Sequence, residues 1–115
     1  MAEGLIYHMC RRAEWQAAER AGVYRGSSQD AADGFIHFST ATQVEASAAK
    51  HRAGQDDLVL VAIEPSALGA ALKWEPARDG ALFPHLYGAL ALERVRWARP
   101  LPLGPAGRHV FPALT

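Results

Sequence analysis

A chain of 115 residues, half of them hydrophobic and 21% charged, can bury one real core and is too short for two. Twelve basic residues balance twelve acidic ones, so the formal net charge is zero, which argues against a domain that grips duplex nucleic acid mainly by electrostatics. The single cysteine, Cys10, excludes an internal disulfide, and no apolar run approaches the roughly 20 residues needed to span a bilayer, so no membrane partner is expected. With no basic-then-apolar leader, the sequence reads as cytoplasmic.

In chain order, Leu5 to Met9 reads as a buried strand. Arg12 to Ala21 follows as a helix, because Ala, Glu, Gln and Arg favour one and Gly22 stands where a left-handed C-terminal cap belongs. Trp15 and Ala18 fall on one face of it. The small, polar run 25–33 reads as a loop. Phe35 to Phe38 is a second strand by its aromatic and β-branched residues. Thr40 and Gln43 have the spacing of a capping box, and the helix they start runs to about Arg52 and stops at Gly54. Asp57 to Ile63 is nearly all apolar and reads as a central strand, broken by Glu64-Pro65-Ser66. Lys73-Trp74-Glu75 is a short strand, Pro84 to Gly88 a turn, and Arg94 to Trp97 a half-buried strand by its alternation. From Pro100 onward, Pro and Gly predict an extended wrap over the surface.

This order predicts one α+β domain over 1–115, its core at about 4–100 and a tail at 101–115. The sheet is expected to be small, mixed and mostly antiparallel, with two main helices, and not doubly wound. No Gly-x-Gly-x-x-Gly stretch or P-loop is present, so the common phosphate cradles are closed.

Three histidines sit where a ligand site would form. His8 ends the first strand, His37 is embedded in Phe-Ile-His-Phe, and His85 lies in Phe-Pro-His-Leu-Tyr-Gly. Strand alternation puts Phe35 and His37 on one side and Ile36 and Phe38 on the other, so His37 shares a largely apolar face and needs a specific partner. Ser39 and Thr40 open a helix N-terminus, whose free N–H groups suit a phosphate or carboxylate. Glu75, between Trp74 and Pro76, is the strongest carboxylate candidate, its bland alternative being an exposed acid or a partner of Arg78. Trp74 and Tyr87 could wall a pocket or simply pack. His8, His37 and His85 with Glu75 would also make an adequate metal-ligand set, though without a metal-site spacing. Cys10 carries no mark of a nucleophile. Arg11-Arg12 reads as a solvated helix start close enough to His8 to meet a phosphate.

Ile6-Tyr7-His8, Trp15, Gly34 to Ser39, Gln43, Trp74-Glu75 and Phe83 to Gly88 together resemble the signature of a bacterial group, domain-of-unknown-function family 952. A strand ending in Tyr-His, a helix, a strand with His-x-Ser, a helix and an apolar strand is also similar to the NAD-dependent RNA 2′-phosphotransferases and other ADP-ribosyltransferase-like proteins. That resemblance implies a nucleotide or other small-molecule ligand, with NAD as cofactor. It implies His8 as the ribose-binding histidine, with His37 and Ser39 lining the pocket. Ser39 and Thr40 would then hold the diphosphate or amide, and Trp74 or Tyr87 the nicotinamide ring, with His85 beside them. Glu75 and His37 are the catalytic candidates, Glu75 stabilising positive charge on the ribose as nicotinamide leaves. The alternatives are a non-catalytic nucleotide-binding domain and a metal-dependent hydrolase.

Overall fold

The computed structural model describes residues 4–77 and 80–114. In chain order its elements are β1 (Ile6–Arg11), α1 (Arg12–Ala21), β2 (Val23–Tyr24), α2 (Ser28–Asp33), β3 (Ile36–His37), β4 (Ser39–Thr40) and α3 (Val44–His51). Then come β5 (Leu58–Ile63), β6 (Leu72–Pro76), β7 (Leu82–Leu86), β8 (Leu90–Ala91) and β9 (Val95–Leu101), with 3₁₀ turns at Pro65–Ala71 and Leu92–Arg94.

β5 is Leu-Val-Leu-Val-Ala-Ile and is buried at every position, which requires cover on both faces. It lies between β1 and β9 in a four-stranded sheet of order β4-β1-β5-β9. On one face of this sheet Ile6, Cys10, Val59, Val61 and Ile63 pack with Trp15 and Ala18 of α1. On the other face Tyr7, Leu58, Leu60 and Ala62 pack with Val44 of α3, and Phe111 and Leu114 of the tail close over them. Each fully buried Leu or Ile contributes roughly 1.5–3 kcal/mol relative to an exposed one. A three-stranded sheet, β3-β7-β6, turns Ile36 and Leu86 into the first cluster, and β2 and β8 form a separate two-stranded ribbon. The architecture is thus α+β, as expected, but with three sheets in place of one, and the strand pairings among the described residues are all antiparallel.

α1 has the expected bounds, and Gly22 caps it in the left-handed region at φ 79 with its N–H on the Ala18 carbonyl. Four expectations need correction. The run 25–33 is not wholly a loop: Ser27 caps α2, its hydroxyl accepting the Asp30 N–H while the Asp30 carboxylate accepts the Ser27 N–H at 2.8 Å. That is a capping box with Asp in the third place. Residues 35–38 do not form one strand, since the chain changes sheet at Phe38. β3 pairs with β7, the Phe38 N–H donates to the Pro84 carbonyl at 3.0 Å, and β4 pairs with β1.

The third correction concerns α3, which starts at Val44 and ends at His51. Gln43 Oε1 does accept the Thr40 N–H, but the Thr40 hydroxyl meets Thr42, and Gln43 Nε2 reaches the Leu82 carbonyl. One half of the capping box therefore ties a turn in front of the helix. The fourth is Pro84 to Gly88, expected as a turn. Pro84, His85 and Leu86 belong to β7, where Pro84 turns its backbone toward Phe38, past the end of β3, so its missing N–H costs no bond to β6. β1 and β9 run beyond their expected ends, β1 by two residues to Arg11 and β9 through Pro100 to Leu101.

Candidate functional site

β4 pairs with β1 only at Ile6 and Tyr7, so beyond Tyr7 that edge of β1 has no neighbouring strand among the described residues. The chain has left for the other sheet, and between the two lies a cavity of about 870 Å³. His8 and Met9 form part of its wall, with Asp30, His37, Ser39 and His85. Arg52 crosses to the open edge and donates to the Met9 carbonyl at 3.0 Å, and Arg11 and His51 add to this basic side of the cleft.

His8 is 3% exposed and both ring nitrogens are used by the protein. Nδ1–H donates to the His37 carbonyl at 2.6 Å, which leaves Nε2 to accept the Tyr24 hydroxyl at 2.7 Å. Burial lowers the pKa of this imidazole despite Asp30 nearby, which favours the neutral ring, and its two bonds pin β1 to β3 across the split and to Tyr24 of β2. Burial also pushes the Cys10 thiol up to about 12, which leaves it inert as a nucleophile.

His37 behaves in the opposite way. Its Nδ1–H donates to Asp30 Oδ1 at 2.5 Å and its Nε2 lies 3.0 Å from Asp33 Oδ2. The Asp30 hydrogen bond raises its pKa against a smaller opposing effect of burial, favouring an imidazolium held between two carboxylates. Asp30 itself is 3% exposed. Burial would raise its pKa, but the His37 hydrogen bond, the His8 ring and the Ser27 and His37 backbone N–H groups outweigh it and hold the carboxyl at about 2. Gly26 makes room for this carboxylate: a Cβ there would stand 2.7 Å from the Asp30 Cβ, at a φ of +99.

The third histidine has an aromatic lid. Phe35 stacks on the His85 ring with centroids 4.1 Å apart and planes 25° apart, and also touches His37 and Tyr87. Beneath it His85 Nδ1 lies 2.8 Å from Glu75 Oε1, which also accepts the Tyr87 hydroxyl at 2.7 Å. These two donors, His85 first, lower the Glu75 pKa, and the bond to Glu75 raises that of Tyr87.

Of the residues the sequence singled out, His8, His37, Ser39 and His85 meet at the cavity. The Ser39 hydroxyl is bonded to that of Ser47 at 2.9 Å. Glu75 and Tyr87 are outside the lining and reach it through His85, while Thr40 and Trp74 are outside it altogether, Trp74 being 41% exposed. Arg78, considered as a partner for Glu75, lies outside the described residues. Among the described residues no group of three or more His, Cys, Asp or Glu is disposed to hold a metal ion. Sequence reasoning missed Asp30, Tyr24 and Phe35 as site residues. Asp30 was detectable as the acid three residues after the serine of Ser-x-x-Asp, and Phe35 by sharing the His37 face. Nothing local marks Tyr24.

A family model described as "Protein of unknown function (DUF952)" matches residues 9–98. The chain belongs to this family. Among solved structures it is similar to the crystal structure of protein CC0527 from Caulobacter crescentus, at 47% identity over 92% of this chain and 93% of that one, with a TM-score of 0.89. The solution NMR structure of CC0527 matches at 48% identity over 90% of each chain, with a TM-score of 0.82. No curated protein matches the chain. Among the described residues, no helix is long and apolar enough to cross a membrane.

Proposed function

We propose that the cleft binds a nucleotide, with NAD as the donor substrate, and that the protein is an ADP-ribosyltransferase-like enzyme. The observation that carries this reading is a lining that combines a stacked aromatic pair with arginine side chains. Phe35 and His85 form a stacked plate that suits a flat heteroaromatic ring. In the same lining Arg11 and Arg52 supply donors and positive charge suited to a diphosphate, with Glu14 beside Arg11. A volume of about 870 Å³ is within the roughly 300–1,000 Å³ of small-molecule sites.

The residue roles change from those the resemblance implies. His8 has no free nitrogen for a ribose hydroxyl unless Tyr24 gives up its bond, so in this reading it organises the wall instead. Phe35 takes the ring-stacking place given to Trp74 or Tyr87. His37, tied to Asp30 and Asp33, acts as fixed positive charge and not as a base. The second reading, a nucleotide-binding domain without catalysis, is favoured by the place of Glu75 outside the lining.

The test is the thermal midpoint in the presence of NAD, with ADP-ribose and nicotinamide alongside. Ligand at about 100 times its dissociation constant stabilises the folded state by about 2.7 kcal/mol. NAD should raise the midpoint of the wild type, and Phe35→Ala should abolish the rise. A wild type that does not respond to millimolar NAD removes NAD from the reading.

A further inference from the structure

We infer that His85 is the proton acceptor of this site and that Glu75 is its positioning residue, an inference that rests on the nucleotide reading above. Glu75 does not line the cavity, so it cannot by itself meet a substrate there. His85 does line it, and its Nδ1 is committed to Glu75 Oε1 at 2.8 Å. A carboxylate only accepts, so Nδ1 carries the proton in this bond, and in the neutral ring Nε2 holds a bare lone pair. Among the described residues Nε2 has no hydrogen-bond partner. Phe35 stacked at 4.1 Å fixes the plane of the ring, and the Tyr87 hydroxyl on the same Glu75 oxygen fixes the carboxylate. A base oriented by a third group, itself anchored, is the arrangement that proton transfer requires.

The other histidines are unsuited to the task. His8 spends both nitrogens on the protein, and His37 is held protonated by Asp30 and Asp33. The groups facing His85 are Glu75 and its cross-strand neighbour Lys73 on β6, Tyr87, Phe35, and His37 edge-on at 5.6 Å. His37 and Lys73 stand on the basic side of the charge around this ring and the Glu75 carboxylate on the acidic side.

The reaction is transfer of ADP-ribose to a hydroxyl, water in the simplest case. The proton passes from the acceptor oxygen to His85 Nε2, and the oxygen forms its bond to the anomeric carbon of the ribose. The bond from that carbon to the nicotinamide nitrogen breaks, its electron pair returning to the nitrogen. Nicotinamide leaves neutral, and His85 afterwards releases its proton to solvent.

The experiment combines a ligand-free and a ligand-dependent readout on the same proteins. Imidazole ¹⁵N spectra of ligand-free wild type should show His85 protonated on Nδ1 and bare on Nε2, a preference weakened in Glu75→Gln; a ring protonated on Nε2 instead overturns the proposal. With NAD as probe at saturating concentration, His85→Asn should lose about 100-fold in kcat, the low end for a general base, while the NAD-induced rise in melting temperature is reduced but not abolished because Phe35 remains. Glu75→Gln should lose less and shift the low-pH limb of the rate profile, with Glu75→Asp restoring part of both; a merely structural role would not move that limb. Turnover by His85→Asn within twofold of wild type overturns the assignment. So does a wild type that binds NAD and never cleaves it, an outcome that leaves the nucleotide reading intact. A wild type that shows no NAD-induced shift removes both.

Discussion

The β1–β5 pair and the β3–β7 pair are both antiparallel and both reach the same core, yet different forces hold them. β1 and β5 match in register from Ile6↔Ile63 to Arg11↔Leu58, and the side chains of β5 are apolar on both faces. β3 and β7 match only at Ile36↔Leu86 and His37↔His85. There one face is core and the other carries an imidazolium between two carboxylates, a ring pair and a Glu–His bond. The first region is secured by area removed from water, which is non-directional, the second by pairings that require particular atoms at particular distances. A protein of this kind can change the chemistry of its cleft without disturbing the sheet behind it.

The sharpest way to break that contrast is to damage each region by one residue. Leu60→Ala, at a position with no exposure, should cost about 2–5 kcal/mol in chemical denaturation at all pH values alike. Asp30→Asn should cost about 2 kcal/mol near neutral pH, because it leaves His37 short of a charge partner and weakens the cap of α2. Its loss must depend on pH, unlike that of Leu60→Ala; parallel curves for the two variants would refute the contrast.

The direction of that dependence follows from the two groups. Asp30 has its folded pKa depressed to about 2, so its contribution is present above the unfolded value near 4 and is lost as pH falls through 2. His37 has its folded pKa raised, so its contribution is full below about 6.5 and is lost as pH rises through the folded value. His8, lowered by burial, adds an opposing loss as pH falls below about 6.5. An NMR titration should therefore find His37 titrating above the usual histidine range and His8 below it, and Asp30→Asn should bring His37 down.

Two smaller effects sharpen the same line. Gly26→Ala should destabilise by about 1–3 kcal/mol, since both its φ and the approach to Asp30 forbid a Cβ. A double substitution with Asp30→Gly, which removes the Cβ that the new methyl would meet at 2.7 Å, tests whether the clash or the backbone strain dominates. Phe35→Leu should change stability by less than about 1 kcal/mol, the side chain being half-buried over polar rings, yet it should remove the stacking plate. A midpoint shift with NAD that survives Phe35→Leu would place the ring-binding wall elsewhere.

The apolar region was the part most readable from sequence. β5 announces itself by an unbroken apolar run, and α1 by composition and by Gly22, because hydrophobic periodicity and caps are local signals. The polar region was legible in its residues but not in its wiring. His8, His37, Ser39 and His85 stand out by their setting and do converge at the cavity. That His37 takes Asp30 and Asp33 as partners depends on α2 folding back onto β3, which no spacing in 35–38 discloses. Pro84 misled in the same way: in isolation it signals a turn, and only the shortness of β3 makes it acceptable in a strand. Trp74 and Thr40 were singled out by type, and their places outside the lining are set by the edge position of β6 and by the turn before α3.

The register of β1 also bears on how the molecule comes to exist on the ribosome. The strand that carries His8 finds its long partner only when Ile63 has emerged, and the Tyr24 and His37 contacts to His8 close shorter loops in the meantime. Non-local pairing of this sort slows folding and leaves an unsatisfied strand edge waiting during synthesis. The β6–β7 hairpin, by contrast, is local and can zip as soon as it is made. The histidine cleft is therefore a late product of assembly, formed only when the first strand of the chain is captured by a segment from its middle.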